Sequence, residues 1–167
     1  LKINANIDSK KNNKKVVITY IGRLQVRKGL NVLKQILDFF ENSNDVKFVF
    51  CGFSNKEFEN YTKKKYKIVD CLGFIDTIEN VLASSNIFVL PSLHEGLSYS
   101  ILEALKFNNL VIANDIPGIN SIITNDYNGI LIKDNRPSSY INEINKFIQN
   151  RNYAKKHILN GKKTIKN

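Results

Sequence analysis

At 167 residues, with 43% hydrophobic and 24% charged residues, the chain has room for one domain with a sizeable core and an ordinary globular composition. Its longest apolar runs are strand-sized, which excludes a membrane-spanning helix, and no secretory leader is visible. The formal net charge of +10 comes mostly from lysine, which supplies 21 of the 25 basic residues, but scarce arginine and no recognised nucleic-acid module argue against nucleic acid as a partner.

The lysines gather at residues 10–15, 63–67 and 155–166. They read as solvated faces, with attraction to phosphorylated ligands or to an anionic membrane as the more specific use. Residues 1–15 are polar and without period, and read as a linker from a preceding domain. No methionine occurs, even at position 1, so the chain is expected to be a piece of a longer protein. The domain proper is expected over 16–150, with a C-terminal helix or tail over 151–167.

Strands are expected at 16–21, 46–51, 68–72, 87–90, 110–113 and 129–132, where β-branched and aromatic residues run together. Helical spacing links Leu30, Leu33, Leu37 and Phe40, then Ile78, Val81 and Leu82, then Ile141, Ile144 and Ile148. Asp76 and Glu79 read as a capping box for the second helix, and Pro137 suits the first turn of the third. Residues 152–166 are thinly apolar, which places His157 in a frayed helical end. Short strands alternating with helices predict a parallel sheet covered on both faces, an α/β/α sandwich of three layers. Cys51 and Cys71 fit no disulfide framework or zinc spacing and read as free thiols in a reducing cytoplasm.

The segment from Pro91 to Leu105 is the most informative. An apolar strand ends at Pro91, a loop presents Glu95, and a helix begins near Leu97 or Ser98 with Glu103 on its second turn. Amides at the start of a helix lack partners and suit an anion. Two carboxylates beside them would grip hydroxyls, so a pocket for a nucleotide sugar is expected.

Glu95-Gly96-x5-Leu102-Glu103-Ala104, preceded by Phe88-Val89-Leu90-Pro91-Ser92, resembles the family-4 retaining glycosyltransferases of the GT-B fold. Gly22-Arg23-Leu24-x3-Lys28-Gly29 is similar to that family's diphosphate loop. The likeness runs from about Val16 to about Ile148. It implies a Rossmann-like domain with sheet order 3-2-1-4-5-6, which would bring the loops after the first and fourth strands together. By this resemblance Gly22, Arg23 and Lys28 hold the diphosphate, helped by backbone at Gly96, Leu97, Ser98 and Tyr99. Glu95 takes the sugar's hydroxyls and Glu103 the ribose diol, while Leu72 and Phe74 either wall the base or belong to the core. Arg23, Lys28 and Glu95 are the catalytic set. The expected donor is a nucleotide-diphosphate sugar, with uridine the default base, and no cofactor or metal is expected because no Asp-x-Asp occurs.

The chain departs from the family in three ways. Lys106-Phe107-Asn108-Asn109-Leu110 replaces Ala-x-Gly-x-Pro, and Asn109 is the residue expected to take the positive backbone angle. Gly118-Ile119-Asn120-Ser121 lacks the family's acid. The N-terminal acceptor domain is absent, so transfer by this piece alone is not expected. The rival readings are a nucleotide-sugar epimerase or phosphorylase of the same fold, or a non-catalytic binding module. The expected location is the cytoplasm, with contact at the inner membrane face.

Overall fold

The computed structural model describes residues 15–166, so the expectations for residues 1–14 lie outside the described residues. Within these described residues six strands form: β1 (Val16–Ile21), β2 (Val46–Cys51), β3 (Val69–Cys71), β4 (Ile87–Leu90), β5 (Leu110–Asn114) and β6 (Ile130–Ile132). All pair in parallel in the predicted order β3-β2-β1-β4-β5-β6. Every residue of β4 and β5 is buried. That is why these strands read as unbroken apolar runs instead of alternating ones.

Among the described residues six α-helices accompany the sheet: α1 (Leu30–Phe40), α2 (Asn55–Thr62), α3 (Glu79–Ser84), α4 (Tyr99–Lys106), α5 (Pro137–Gln149) and α6 (Lys155–Lys166). α1 packs against α5, while α4 packs against both α3 and α6. The predicted stripe of α1 is buried and gains Ile36. Each such side chain contributes roughly 1.5–3 kcal/mol by leaving water. α5 begins with Pro137 in its first turn as expected and buries Tyr140, Ile141, Ile144 and Phe147.

Four expectations need correction. α2 was not foreseen, because it buries only Phe58 and Thr62 and has no apolar stripe. Its start is fixed instead by a capping box: Ser54 Oγ accepts from the Glu57 amide and the Glu57 carboxylate accepts from the Ser54 amide at 2.7 Å. Asp76 and Glu79 form no such box, since α3 begins only at Glu79 and its N-cap is Ile78 without a side-chain bond. The positive backbone angle falls on Asn108, at φ 61°, and not on Asn109. Asn109 is buried and its side-chain amide donates to the carbonyls of Leu82 and Ala104.

The fourth correction concerns the C-terminal segment. It is helical as expected, but His157 is not in a frayed end. His157 and Asn160 are buried, and Asn160 Nδ2 donates to the Tyr127 carbonyl at 3.0 Å. Asn128 Nδ2 reaches Thr164 Oγ1 at 3.0 Å. A Cβ at Gly161 would lie 2.8 Å from Leu105 Cδ2, so α6 sits tightly on α4. Polar bonds and a close glycine contact do here what apolar periodicity does elsewhere.

Candidate functional site

β1 and β4 are neighbours at the point where the strand order reverses. The loops leaving such strands form a crevice at the carboxyl edge of the sheet. The loop after β1 runs from Gly22 to Gly29 and contains a short 3-10 turn, Val26–Lys28. The Leu93 amide in the loop after β4 donates to the Arg27 carbonyl at 2.8 Å, joining the two. Gly29 has φ 78°, and a Cβ there would lie 2.1 Å from the Pro91 carbonyl oxygen. Only glycine satisfies both the angle and the approach.

Further clamps hold the second loop. Gly118, beyond β5, has φ 88°, and its Cβ would lie 2.2 Å from Gly96 O and 2.6 Å from Glu95 O. Asn114 Nδ2 donates to the Ser92 carbonyl at 2.9 Å, and Asn135 Nδ2 to the Pro91 carbonyl at 3.4 Å. The carbonyls that precede Glu95 are therefore pinned from two neighbouring segments.

Within this frame Lys28 Nζ donates to both carboxylate oxygens of Glu95, at 2.8 and 2.9 Å. Their side chains are only 18% and 10% exposed. Salt screens such a sheltered pair far less than a surface pair. Arg23 is exposed, and its carbonyl accepts from the Tyr20 hydroxyl at 3.3 Å. Tyr20 is fully buried; burial first, then the charge of Glu95, push its hydroxyl well above the usual tyrosine range. A Cβ at Gly22 would lie 2.5 Å from that hydroxyl oxygen, which is a second reason for glycine in the loop.

α4 opens one residue later than expected, at Tyr99, with Ser98 as an extended N-cap. The Ser98 hydroxyl pairs with that of Ser100 at 3.2 Å and leaves the helix amides alone. The amides from Leu97 to Ser100 find no backbone acceptor among the described residues. Together with the positive end of the helix dipole they form a place for an anion. Leu97 and Tyr99 are exposed at this mouth, as are Leu93 and Val26.

Glu103 lies on the second turn of α4 and is half-buried. Burial first, then the charge of Glu79, raise its carboxyl above the usual glutamate range, against an opposing effect of Lys106. It lines a pocket of about 270 Å³ with Leu102, Lys106, Thr164 and Ile165. Lys28 and Glu95 are thus in contact, whereas Glu103 faces α6. Leu72 and Phe74 follow β3 and are 45% and 82% exposed, which rules out the core role for both. Tyr20, Asn114 and Asn135 support the site without having been singled out. Gly118 belongs to one of the segments compared with the family, whereas Asn135 carries no sequence signal.

The profile of the family described as glycosyl transferases group 1 matches residues 3–164. The chain belongs to that family. It is 33% identical over 138 residues to the UDP-Gal:alpha-D-GlcNAc-diphosphoundecaprenol alpha-1,3-galactosyltransferase of Escherichia coli, covering 77% of this chain and 35% of that protein. It is 30% identical over 115 residues to a glycogen synthase of Acholeplasma laidlawii, covering 65% of this chain and 24% of that enzyme. The chain spans about a third or less of the length of these two relatives.

Solved structures share the fold. Anabaena Alr3699/HepE, in complex with UDP and glucose, superposes with a TM-score of 0.80 at 20% identity, over 91% of this chain and 44% of that one. The C-terminal domain of a glycosyl transferase group 1 family protein (LpcC) from Francisella tularensis gives 0.79 at 22% identity, over 95% of this chain and 88% of that one.

Proposed function

We propose that the chain is the C-terminal, donor-binding domain of a family-4 retaining glycosyltransferase of the GT-B type, taking a nucleotide-diphosphate sugar with uridine as its base. The carrying observation is the Lys28–Glu95 contact between the loops after β1 and β4, beside the open amides of α4. A cation, a carboxylate and unpaired backbone donors meet where an open sheet takes its ligand.

Arg23 and Lys28 would stabilise charge developing on the leaving diphosphate in place of a metal, helped by the amides of Leu97, Ser98 and Tyr99. Glu95 would accept from the sugar's hydroxyls, and Glu103 from the ribose diol. The exposed side chains of Leu72 and Phe74 would lie against the base. The Escherichia coli relative is named for a UDP-Gal donor and the Anabaena structure for UDP and glucose, which supports a uridine donor. Support for C-terminal status comes from the Francisella domain, which has this chain's extent. The acceptor site and the second wall of the cleft then belong to a further domain of the whole protein.

An anionic membrane is the second partner of this reading, at the cytoplasmic face where glycolipid or polysaccharide is built. Its support is α6, which carries no acidic residue and exposes Lys155, Lys156, Leu159 and Lys163. Each lysine near such a surface contributes about 1 kcal/mol.

The test is a melting series with nucleotide sugars and nucleoside diphosphates in a chelator. A ligand at 100 times its Kd stabilises by about 2.7 kcal/mol, which raises the Tm by roughly 5–10 °C at this size. Absence of any rise across millimolar uridine, guanosine and adenosine ligands would contradict the donor-domain reading.

A further inference from the structure

Lys28 has three N–H donors, and its ammonium lies within bonding distance of both carboxylate oxygens of Glu95. The pair as a whole presents no net charge to an arriving diphosphate. A phosphate oxygen taking another of the ammonium's donors would sit roughly 4–5 Å from the carboxylate oxygens, given tetrahedral donors and ordinary bond lengths. That is well inside the screening length of about 8 Å in physiological salt. Both side chains are largely shielded from water, so solvent does little to soften the repulsion.

The backbone that carries Glu95 is also held in place. Gly118 packs against its carbonyl, and Asn114 and Asn135 pin the two carbonyls at Pro91 and Ser92. On the other loop, Gly29 locks the backbone beside Lys28 against Pro91. The two side chains therefore start from fixed backbone positions, and it is the bond to Lys28 that keeps the carboxylate beside the ammonium.

From this we infer that Glu95 is a specificity-determining residue that discriminates against the bare nucleoside diphosphate in favour of the nucleotide sugar. The inference rests on the donor-site reading above and deepens it. With the sugar present, hydroxyl donors reach Glu95 and offset the loss of its bond to Lys28. Without the sugar, the carboxylate has no hydroxyl to accept from and competes with the phosphates for the same ammonium. The residue therefore acts with opposite sign on the two ligands. Its consequence in turnover is release of the diphosphate product.

The test is calorimetry on this chain with UDP, GDP and ADP, and with UDP-glucose as the sugar-bearing probe, for wild type, Glu95→Gln, Lys28→Ala and the double variant. Glu95→Gln removes the charge and keeps the shape, and melting curves establish that each protein is folded. Should Glu95→Gln fail to fold, Glu95→Ala replaces it.

The expected result is that Glu95→Gln tightens the best-bound diphosphate by about 10-fold, the lower end of what one charge-assisted hydrogen bond contributes. The same change leaves UDP-glucose unchanged or weaker. In the Lys28→Ala background the competition for the ammonium is gone, so the tightening falls to whatever direct repulsion between Glu95 and the phosphates contributes. If wild type binds a diphosphate and Lys28→Ala weakens it, but Glu95→Gln leaves it unchanged or weaker, the discrimination is overturned while the donor site stands. If no protein in the set binds any nucleotide, both are overturned.

Discussion

Gly29→Ala should damage both stability and ligand binding, and by more than its backbone angle alone explains. At φ 78° an alanine pays roughly 1–2 kcal/mol for the left-handed region. Its Cβ would also lie 2.1 Å from the Pro91 carbonyl oxygen, so one of the two site loops must move by about 1 Å to restore contact distance. Overpacking of that kind adds about 1–3 kcal/mol. The total of roughly 2–5 kcal/mol corresponds to a fall in Tm of roughly 4–20 °C for a chain of this size. Gly73 is the internal control: it has φ 72°, but a Cβ there meets nothing within 4 Å. Gly73→Ala should therefore carry only the conformational cost, roughly 2–8 °C. Calorimetric melting of both variants, with UDP titrations of the folded proteins, separates the clash from the angle. A Gly29→Ala protein that melts no lower than Gly73→Ala and binds UDP as wild type does would refute the idea that this contact sets the loop geometry.

Lys28→Ala should weaken diphosphate binding about 10- to 100-fold by removing one charge-assisted bond, whereas neutralising Lys63 and Lys65 should not; equal losses would mean diffuse attraction. Glu103 has a carboxyl raised by burial and by Glu79, and it takes both hydroxyls of a ribose diol most strongly when ionised, so nucleotide affinity should fall as pH drops through a value above the ordinary glutamate range. Titrating Kd against pH for wild type and Glu103→Gln isolates this limb, since the variant keeps the phosphate's own titration and loses the carboxylate's. Ser54→Ala should cost about 1 kcal/mol by breaking the α2 capping box, read as a lower urea midpoint with an unchanged slope. Vesicles containing an anionic lipid should sediment the protein at low salt, and replacing Lys155, Lys156 and Lys163 by glutamine should abolish this; binding that survives the replacement would move the contact away from α6.

How much of this was legible in the sequence depended on what kind of interaction specified each part. The strands and the cores of α1 and α5 announced themselves because burial on both faces leaves apolar runs, and burial on one leaves a stripe. α2 and α6 are held by a capping box, by buried Asn160 and by close contact at Gly161, none of which shows as hydrophobic period. The positive φ falls on Asn108, which counting along the Ala-x-Gly-x-Pro motif puts in the glycine's place, and not on the expected Asn109. In the site, Lys28 and Glu95 were each recognised, 67 positions apart in the chain. Their contact was not, because it depends on the adjacency of β1 and β4 and on the glycines that bring their loops together. That contact changes an expectation: Glu95→Gln, which would leave diphosphate binding nearly unaffected if Glu95 met only the sugar, should instead tighten it.

The central claim is that the loops after β1 and β4 form one donor pocket with the opening turn of α4. A crystal structure of the chain soaked with UDP tests it most directly. The phosphates should lie within hydrogen-bond distance of Lys28 Nζ and of amides between Leu97 and Tyr99, with the ribose hydroxyls turned toward Glu103. UDP bound instead along the lysines at 63–67, or found nowhere near the Lys28–Glu95 pair, would contradict it.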